Sequence, residues 1–154
     1  MKLKNSSLFK EKCLIGGKWT GSIKGNLIEV DNPASREIIG QIPKCSTEET
    51  KNAIDEASNS FPAWKSKTAK ERSIILQKWA RLIEENVDDL AKIMTIEQGK
   101  PLAEAKGEIL LGVAYIDFYA EEGKRVYGDI ISDPLPDRRI VIIKQPVGVV
   151  GAIT

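Results

Sequence analysis

The sequence contains no histidine, only two cysteines and two methionines, and no excess of either charge. Each scarcity narrows the possible functions. Without histidine, the commonest general base near neutral pH and the commonest transition-metal ligand are missing. Cys13 and Cys45 lie far apart in the chain. They make neither a disulfide framework nor a zinc site, so a reducing, cytoplasmic compartment and no metal are expected. The balance of 23 basic against 22 acidic residues leaves a net charge of +1. Neither nucleic acid nor an anionic membrane is an expected partner at that balance. No apolar run reaches the roughly 18 residues of a bilayer span. Lys2 and Lys4 are not followed by the apolar region of a secretory signal.

What is present is ordinary for a globular α/β chain: 154 residues, 42% hydrophobic and 29% charged. The order is strands, helices, then strands again, without repeats. Cys13 to Trp19 reads as a short strand with a Gly16-Gly17 turn. Asn26 to Val30 and Glu37 to Ile42 read as two more strands, together a small antiparallel meander. Ser46-Thr47-Glu48-Glu49 and Thr68-Ala69-Lys70-Glu71 are capping boxes, each opening a helix. The first helix carries Ala53, Ile54, Ala57 and Phe61 on one face and is expected to end or kink at Pro62. The second carries Leu76, Trp79, Ile83, Val87, Leu90 and Met94, one stripe along a single long helix closed by Gly99. Pro101 opens a third helix with Leu102, Ala105, Ile109, Val113, Ile116 and Ala120 on one side and Gly128 as a plausible end. Gly107 and Gly112 within it suggest close packing against another backbone, because an interior glycine costs about 1 kcal/mol.

After Asp133-Pro134-Leu135-Pro136-Asp137 comes the strand-like run Ile140-Val141-Ile142-Ile143. Val149-Val150-Gly151-Ala152-Ile153 is a continuous apolar run, suited to a parallel strand covered on both faces. Such a strand needs neighbours and a crossover helix. The chain is therefore expected to be incomplete as a folding unit.

No residue set makes an evident active site. Cys45, next to Lys44, is a candidate nucleophile without a base, and reads better as a surface thiol. Cys13 reads as a small core residue. Glu84, Glu85, Asp88 and Asp89 read as a solvated helix face. Glu121 and Glu122, followed by Lys124 and Arg125, read as i,i+4 ion pairs. Gly16, Gly17, Gly21 and Gly25 do not form a phosphate-binding loop. Trp19, Trp64 and Trp79 do not cluster, and Trp79 belongs to the core stripe. Arg138 and Arg139 could bind an anion, but protect a strand edge equally well.

Several segments resemble one family. Glu97-Gln98-Gly99-Lys100-Pro101 resembles the E-x-G-K-P segment near the front of aldehyde dehydrogenases. Asp31-Asn32-Pro33-Ala34 is similar to that family's N-P turn, and Lys144-Gln145-Pro146 to Thr154 to the start of its coenzyme-binding sheet. Phe118-Tyr119-Ala120-Glu121-Glu122-Gly123-Lys124-Arg125-Val126-Tyr127-Gly128-Asp129 and Ile15-Gly16-Gly17-Lys18-Trp19 resemble the succinate-semialdehyde branch.

The resemblance implies the front of the aldehyde dehydrogenase fold. Residues 1–128 would form strands and helices of the coenzyme-binding domain, 129–147 an oligomerisation β-hairpin, and 148–154 the first strand of a Rossmann-like sheet. It implies oxidation of succinate semialdehyde to succinate with NAD or NADP, a step in γ-aminobutyrate breakdown. In the family a cysteine thiolate attacks the aldehyde, hydride passes to nicotinamide, and a glutamate-activated water releases the acid. An asparagine and a backbone N–H hold the oxyanion. That asparagine follows the positions matching Ile153 and Thr154, in a Pro-Trp-Asn tripeptide. Neither Cys13 nor Cys45 matches the catalytic cysteine. By resemblance, Ile153 and Thr154 line the coenzyme pocket and no catalytic residue is present. The chain alone is expected to be inactive and to hold no cofactor tightly. Its expected partners are the rest of such an enzyme and, through 129–147, further copies. A non-catalytic module that pairs with another aldehyde dehydrogenase subunit is the alternative.

Overall fold

The computed structural model describes residues 1–153. These form six strands, four α-helices and two single-turn 3-10 helices, the latter at Ser6–Leu8 and Gly123–Arg125. The strands β1 (Cys13–Ile15) and β2 (Lys18–Thr20) pair antiparallel, with Ile15 opposite Lys18. The two residues between them, Gly16 and Gly17, have φ of 56° and 75°. Both central positions of a type I′ turn need positive φ, which is why the Gly-Gly pair closes this hairpin.

Strands β3 (Leu27–Asp31) and β4 (Ile38–Pro43) form a separate hairpin, with a register shift between Val30 and Asp31. The expected three-stranded meander is therefore two independent two-stranded sheets among the described residues. Helix α1 follows at Thr47–Lys65 and runs through Pro62 instead of stopping there. Pro62 sits in the last turn, where it forfeits only the bond its own N–H would make to the preceding turn.

The expected single helix of residues 69–98 is two, α2 (Ala69–Glu85) and α3 (Val87–Gln98). Asn86 makes the break. Its N–H bonds Ile83 O at 3.1 Å and its side-chain amide bonds Leu82 O at 2.8 Å, closing α2. Its own carbonyl then accepts from Leu90 N at 3.0 Å, starting α3. An asparagine amide competes for backbone groups in this way and so favours helix ends. The apolar stripe survives the break, because Ile83, Val87, Leu90 and Met94 all pack on the small core of Ala91, Ala105 and Ile109. Trp79 does not follow them: it is 55% exposed. The buried line of α2 passes through Ser73 and Ala80, whose small side chains admit α4 at close range.

Helix α4 (Leu102–Glu122) packs on both α2 and α3 through Ala105, Ile109, Val113 and Ala120. Gly107 and Gly112 were expected to meet a neighbouring backbone. Instead a Cβ at either would touch nothing within 4 Å among the described residues. Away from that contact, α4 exposes Leu110, Leu111, Tyr115, Phe118 and Tyr119 among the charged Glu104, Glu108 and Asp117. Large apolar side chains exposed together in this way mark a surface suited to covering by another element.

Beyond α4, β5 (Asp129–Ser132) and β6 (Arg139–Ile142) form a third hairpin, exposed at every strand position. An isolated two-stranded hairpin is marginal in water. The apolar run at 149–153 forms no strand here, and Val150 and Ile153 are exposed. Without a neighbouring strand there is no ladder for its backbone to join. The accessible surface totals 11877 Å² for a 17.0 kDa chain. A self-contained monomer of this mass has about 7,700 Å². The excess is roughly half as much again, and exposed large apolar residues on α2, α4 and the last hairpin are part of it.

Candidate functional site

Two of the segments quoted for the family resemblance, Asp31–Ala34 and Glu97–Pro101, meet in space at Pro33 and Gly99. Gly99 ends α3 in the left-handed region, with its N–H bonded to Thr95 O at 2.9 Å. A Cβ on Gly99 would come within 3.0 Å of Pro33 Cγ. The Asn32-Pro33 turn is held by Asn32 Oδ1 accepting from Ala34 N at 2.9 Å, and by Asn32 N donating to Glu37 O at 2.9 Å. Arg36, at φ 62°, pairs with Asp31 at 2.9 Å. This junction locks the β3–β4 hairpin to the α3–α4 corner.

The carboxylates expected on a solvated face divide. Glu84 and Glu85 are exposed, but Asp89 is buried. Asp89 Oδ2 accepts from Asn5 N at 2.8 Å, and its Oδ1 pairs with Lys92 at 3.2 Å. These bonds, the Asn5 N–H first, hold its carboxyl below the usual range. Asp88 pairs with Lys106 at 2.6 Å and Lys4 at 3.4 Å, and its carboxyl is lowered by Lys106 first. The two aspartates thus clamp the N-terminal segment onto α3 and α4, an anchoring role. The solvated-face expectation failed at Asp89, which is buried, and missed the ion pairs of Asp88, because Asn5 and Lys4 lie 84 residues away in sequence. Glu121 and Glu122 pair with Lys124 and Arg125, each at 2.8 Å, at spacing i,i+3 and not i,i+4.

Glu49 is the most strongly perturbed group. It is buried in the α1 capping box, where Oε2 accepts from both the hydroxyl and, at 2.5 Å, the N–H of Ser46. Its Oε1 accepts from Ile23 N at 2.6 Å. The Ser46 hydroxyl above all, then the two backbone donors, bring its pKa down to about 2. A carboxylate so fully bonded is a fixed anion and a poor proton carrier.

Cys13 and Cys45, read separately from sequence, come together: their sulfurs are 3.7 Å apart. Lys44 does not activate Cys45. Desolvation, then the neighbouring Cys13 thiol and Glu49, push the Cys45 thiol up. No signal in the sequence could have paired them, since the contact depends on where the β1–β2 hairpin docks. Among the described residues, no three His, Cys, Asp or Glu side chains group as metal ligands. No described helix is long and apolar enough to cross a membrane.

Of the two residues expected beside the coenzyme, Ile153 is fully exposed and Thr154 lies outside the described residues. A dinucleotide site is concave and encloses most of its ligand. Ile153 alone supplies at most one wall of such a site, and the described residues supply no others around it. A groove of about 430 Å³ between α3 and α4, lined by Leu90, Met94, Ile109, Gly112 and Ile116, is open and apolar. It has the character of a packing surface.

The comparisons with known proteins agree with this picture of a partial surface. The model of the aldehyde dehydrogenase family matches residues 19–154. A glutarate-semialdehyde dehydrogenase of Pseudomonas putida is 52% identical over all of this chain, which covers 32% of that protein. An NADP-dependent succinate-semialdehyde dehydrogenase of Escherichia coli K12 is 51% identical with the same coverage. The crystal structure of succinate-semialdehyde dehydrogenase from Burkholderia pseudomallei superposes with a TM-score of 0.94 at 46% identity, over 96% of this chain and 31% of that one. The chain thus spans about a third of the length of the curated relatives it matches. Its strands and helices follow the N-terminal part of those structures, and it belongs to the aldehyde dehydrogenase family.

Proposed function

We propose that these residues build the front third of an NAD(P)-dependent dehydrogenase that oxidises the semialdehyde of a short dicarboxylic acid, succinate semialdehyde first. In this reading, 1–128 supply strands and helices of the coenzyme-binding domain. The hairpin of 129–147 joins subunits, and 148–154 enter the coenzyme sheet, with Ile153 and Thr154 beside the coenzyme. The chain by itself neither turns over the aldehyde nor holds the coenzyme, because the thiol, the glutamate and the oxyanion asparagine are supplied by other residues.

One observation carries the reading: away from its covered Ala105–Ala120 face, α4 leaves Leu110, Leu111, Tyr115, Phe118 and Tyr119 exposed. Helices of this kind are stable when a sheet or further helices cover the rest. The hairpin supports the subunit role in the same way. Ile130 faces Val141 and Ile131 faces Ile140 across the strands, an apolar ladder with free edges. The relatives act on both four- and five-carbon semialdehydes by name, at nearly equal identity.

The test is a chimera in which these 154 residues continue into the remaining two-thirds of the E. coli relative. It is expected to oxidise succinate semialdehyde with NADP, while the 154-residue chain alone shows no turnover and no coenzyme binding. A soluble, folded chimera without that activity would sink the proposal, as would turnover by the pure chain.

A further inference from the structure

Cys13 opens β1, and Cys45 lies between the end of β4 and the capping serine of α1. Their sulfurs sit 3.7 Å apart, at van der Waals contact, with Cys13 half-buried and Cys45 exposed. The backbone around each is pinned. Thr20 Oγ1 donates to Cys13 O at 3.3 Å across the first hairpin. On the other side, Lys44 N donates to Asn26 O at 2.9 Å, and Lys44 O accepts from Ser22 Oγ at 3.1 Å. The segment just after β2 is further tied to α1 through Ile23 N and Glu49. Two thiols are therefore presented to one another from separate elements, in a place that solvent reaches.

We propose that Cys13 and Cys45 form a reversible disulfide with low-molecular-weight disulfides such as oxidised glutathione, stapling the β1–β2 hairpin to the start of α1. A disulfide bond is about 2.05 Å long. Closing the gap takes a sulfur movement of roughly 1.7 Å, within the range of χ1 rotation. One protein thiol loses its proton and attacks a sulfur of the glutathione disulfide. That S–S bond breaks, and one glutathione leaves as a thiolate that takes up a proton. The second protein thiol, deprotonated in turn, attacks the protein-bound sulfur of the mixed disulfide and releases the second glutathione. The two cysteines are oxidised, one glutathione disulfide is reduced to two thiols, and no other reactant is needed. This inference is independent of the proposed enzyme activity, since neither sulfur belongs to a catalytic position.

The test equilibrates the full chain with mixtures of reduced and oxidised glutathione, blocks remaining thiols, and reads intact mass and linked peptides. A monomer lighter by two hydrogens, with the Cys13 and Cys45 peptides joined, is expected. The glutathione ratio at half-oxidation, measured in native buffer and in guanidinium, gives the effective concentration of one thiol at the other. Native buffer is expected to raise it by roughly 100-fold or more, because the fold holds the pair together. Cys13→Ser and Cys45→Ser are each expected to leave the other thiol as a glutathione adduct. Equal ratios in the two conditions, or a native chain carrying only glutathione adducts, overturn the proposal.

Discussion

At Gly99 the backbone takes φ 75° and stands against Pro33. An L-residue in that region costs about 1–2 kcal/mol. Gly99→Ala is therefore expected to lower the thermal midpoint of the helical signal, by at least that strain and by more if Pro33 does not yield. Gly99→Asn should recover part of the loss, since asparagine tolerates this conformation. An unchanged midpoint for the alanine variant would contradict the junction described here. Glu49 makes a different prediction. Its pKa falls from 4.5 to about 2 on folding, so its contribution is present above pH 4.5 and is lost as pH falls from there toward about 2. The melting midpoint of the parent should drop through that window more steeply than that of Glu49→Gln, and parallel curves would refute it. The sequence showed the Ser46–Glu49 capping box, because its parts are three residues apart. It did not show that Ile23 completes the same carboxylate, 26 residues away. Nor did it show that Asp89 receives Asn5, or that Cys13 meets Cys45.

Helix ends were legible for the same local reason. Ser46, Thr68 and Gly99 mark them and are used as expected, while Pro101 sits just before the first turn of α4 as its N-cap and Gly128 lies beyond the end of α4 at Glu122. Asn86 was missed because the apolar stripe passes through it unbroken: a step of four from Ile83 to Val87 is the same in one helix or two. Trp79 was misplaced because a 3.6-residue period defines a stripe but not its width. The close approach of α4 selects the small side chains Ser73 and Ala80 as the contact line and pushes the indole outward. Two substitutions on α4 separate its covered and uncovered faces. Ile109→Ala, at the contact with α3, should destabilise the chain by about 2–4 kcal/mol. Gly107→Ala should stabilise it by about 0.5–1 kcal/mol, since the added methyl meets nothing and the helix gains. Chemical denaturation of both variants checks the pair, and a destabilised Gly107→Ala would mean that this face is already packed.

On the scale of the whole chain, the accessible surface of 11877 Å² is the governing quantity. Exposed apolar area of this extent binds apolar dyes and drives association. The chain is expected to enhance the fluorescence of an apolar dye strongly and to self-associate, and the chimera to lose most of that dye signal; a dye-silent monomer would count against it. By itself the sequence determined the strand–helix–strand order and most helix starts, because capping, turn chemistry and helical periodicity act over fewer than ten residues. Its family motifs likewise pointed to an aldehyde dehydrogenase. Only the tertiary structure decided that the early strands are two separate hairpins, that aspartates on α3 anchor the N-terminus, and that two distant thiols touch. Those outcomes depend on how elements dock against one another. Docking is set by the shapes and small residues of facing surfaces, which have no fixed spacing along a chain.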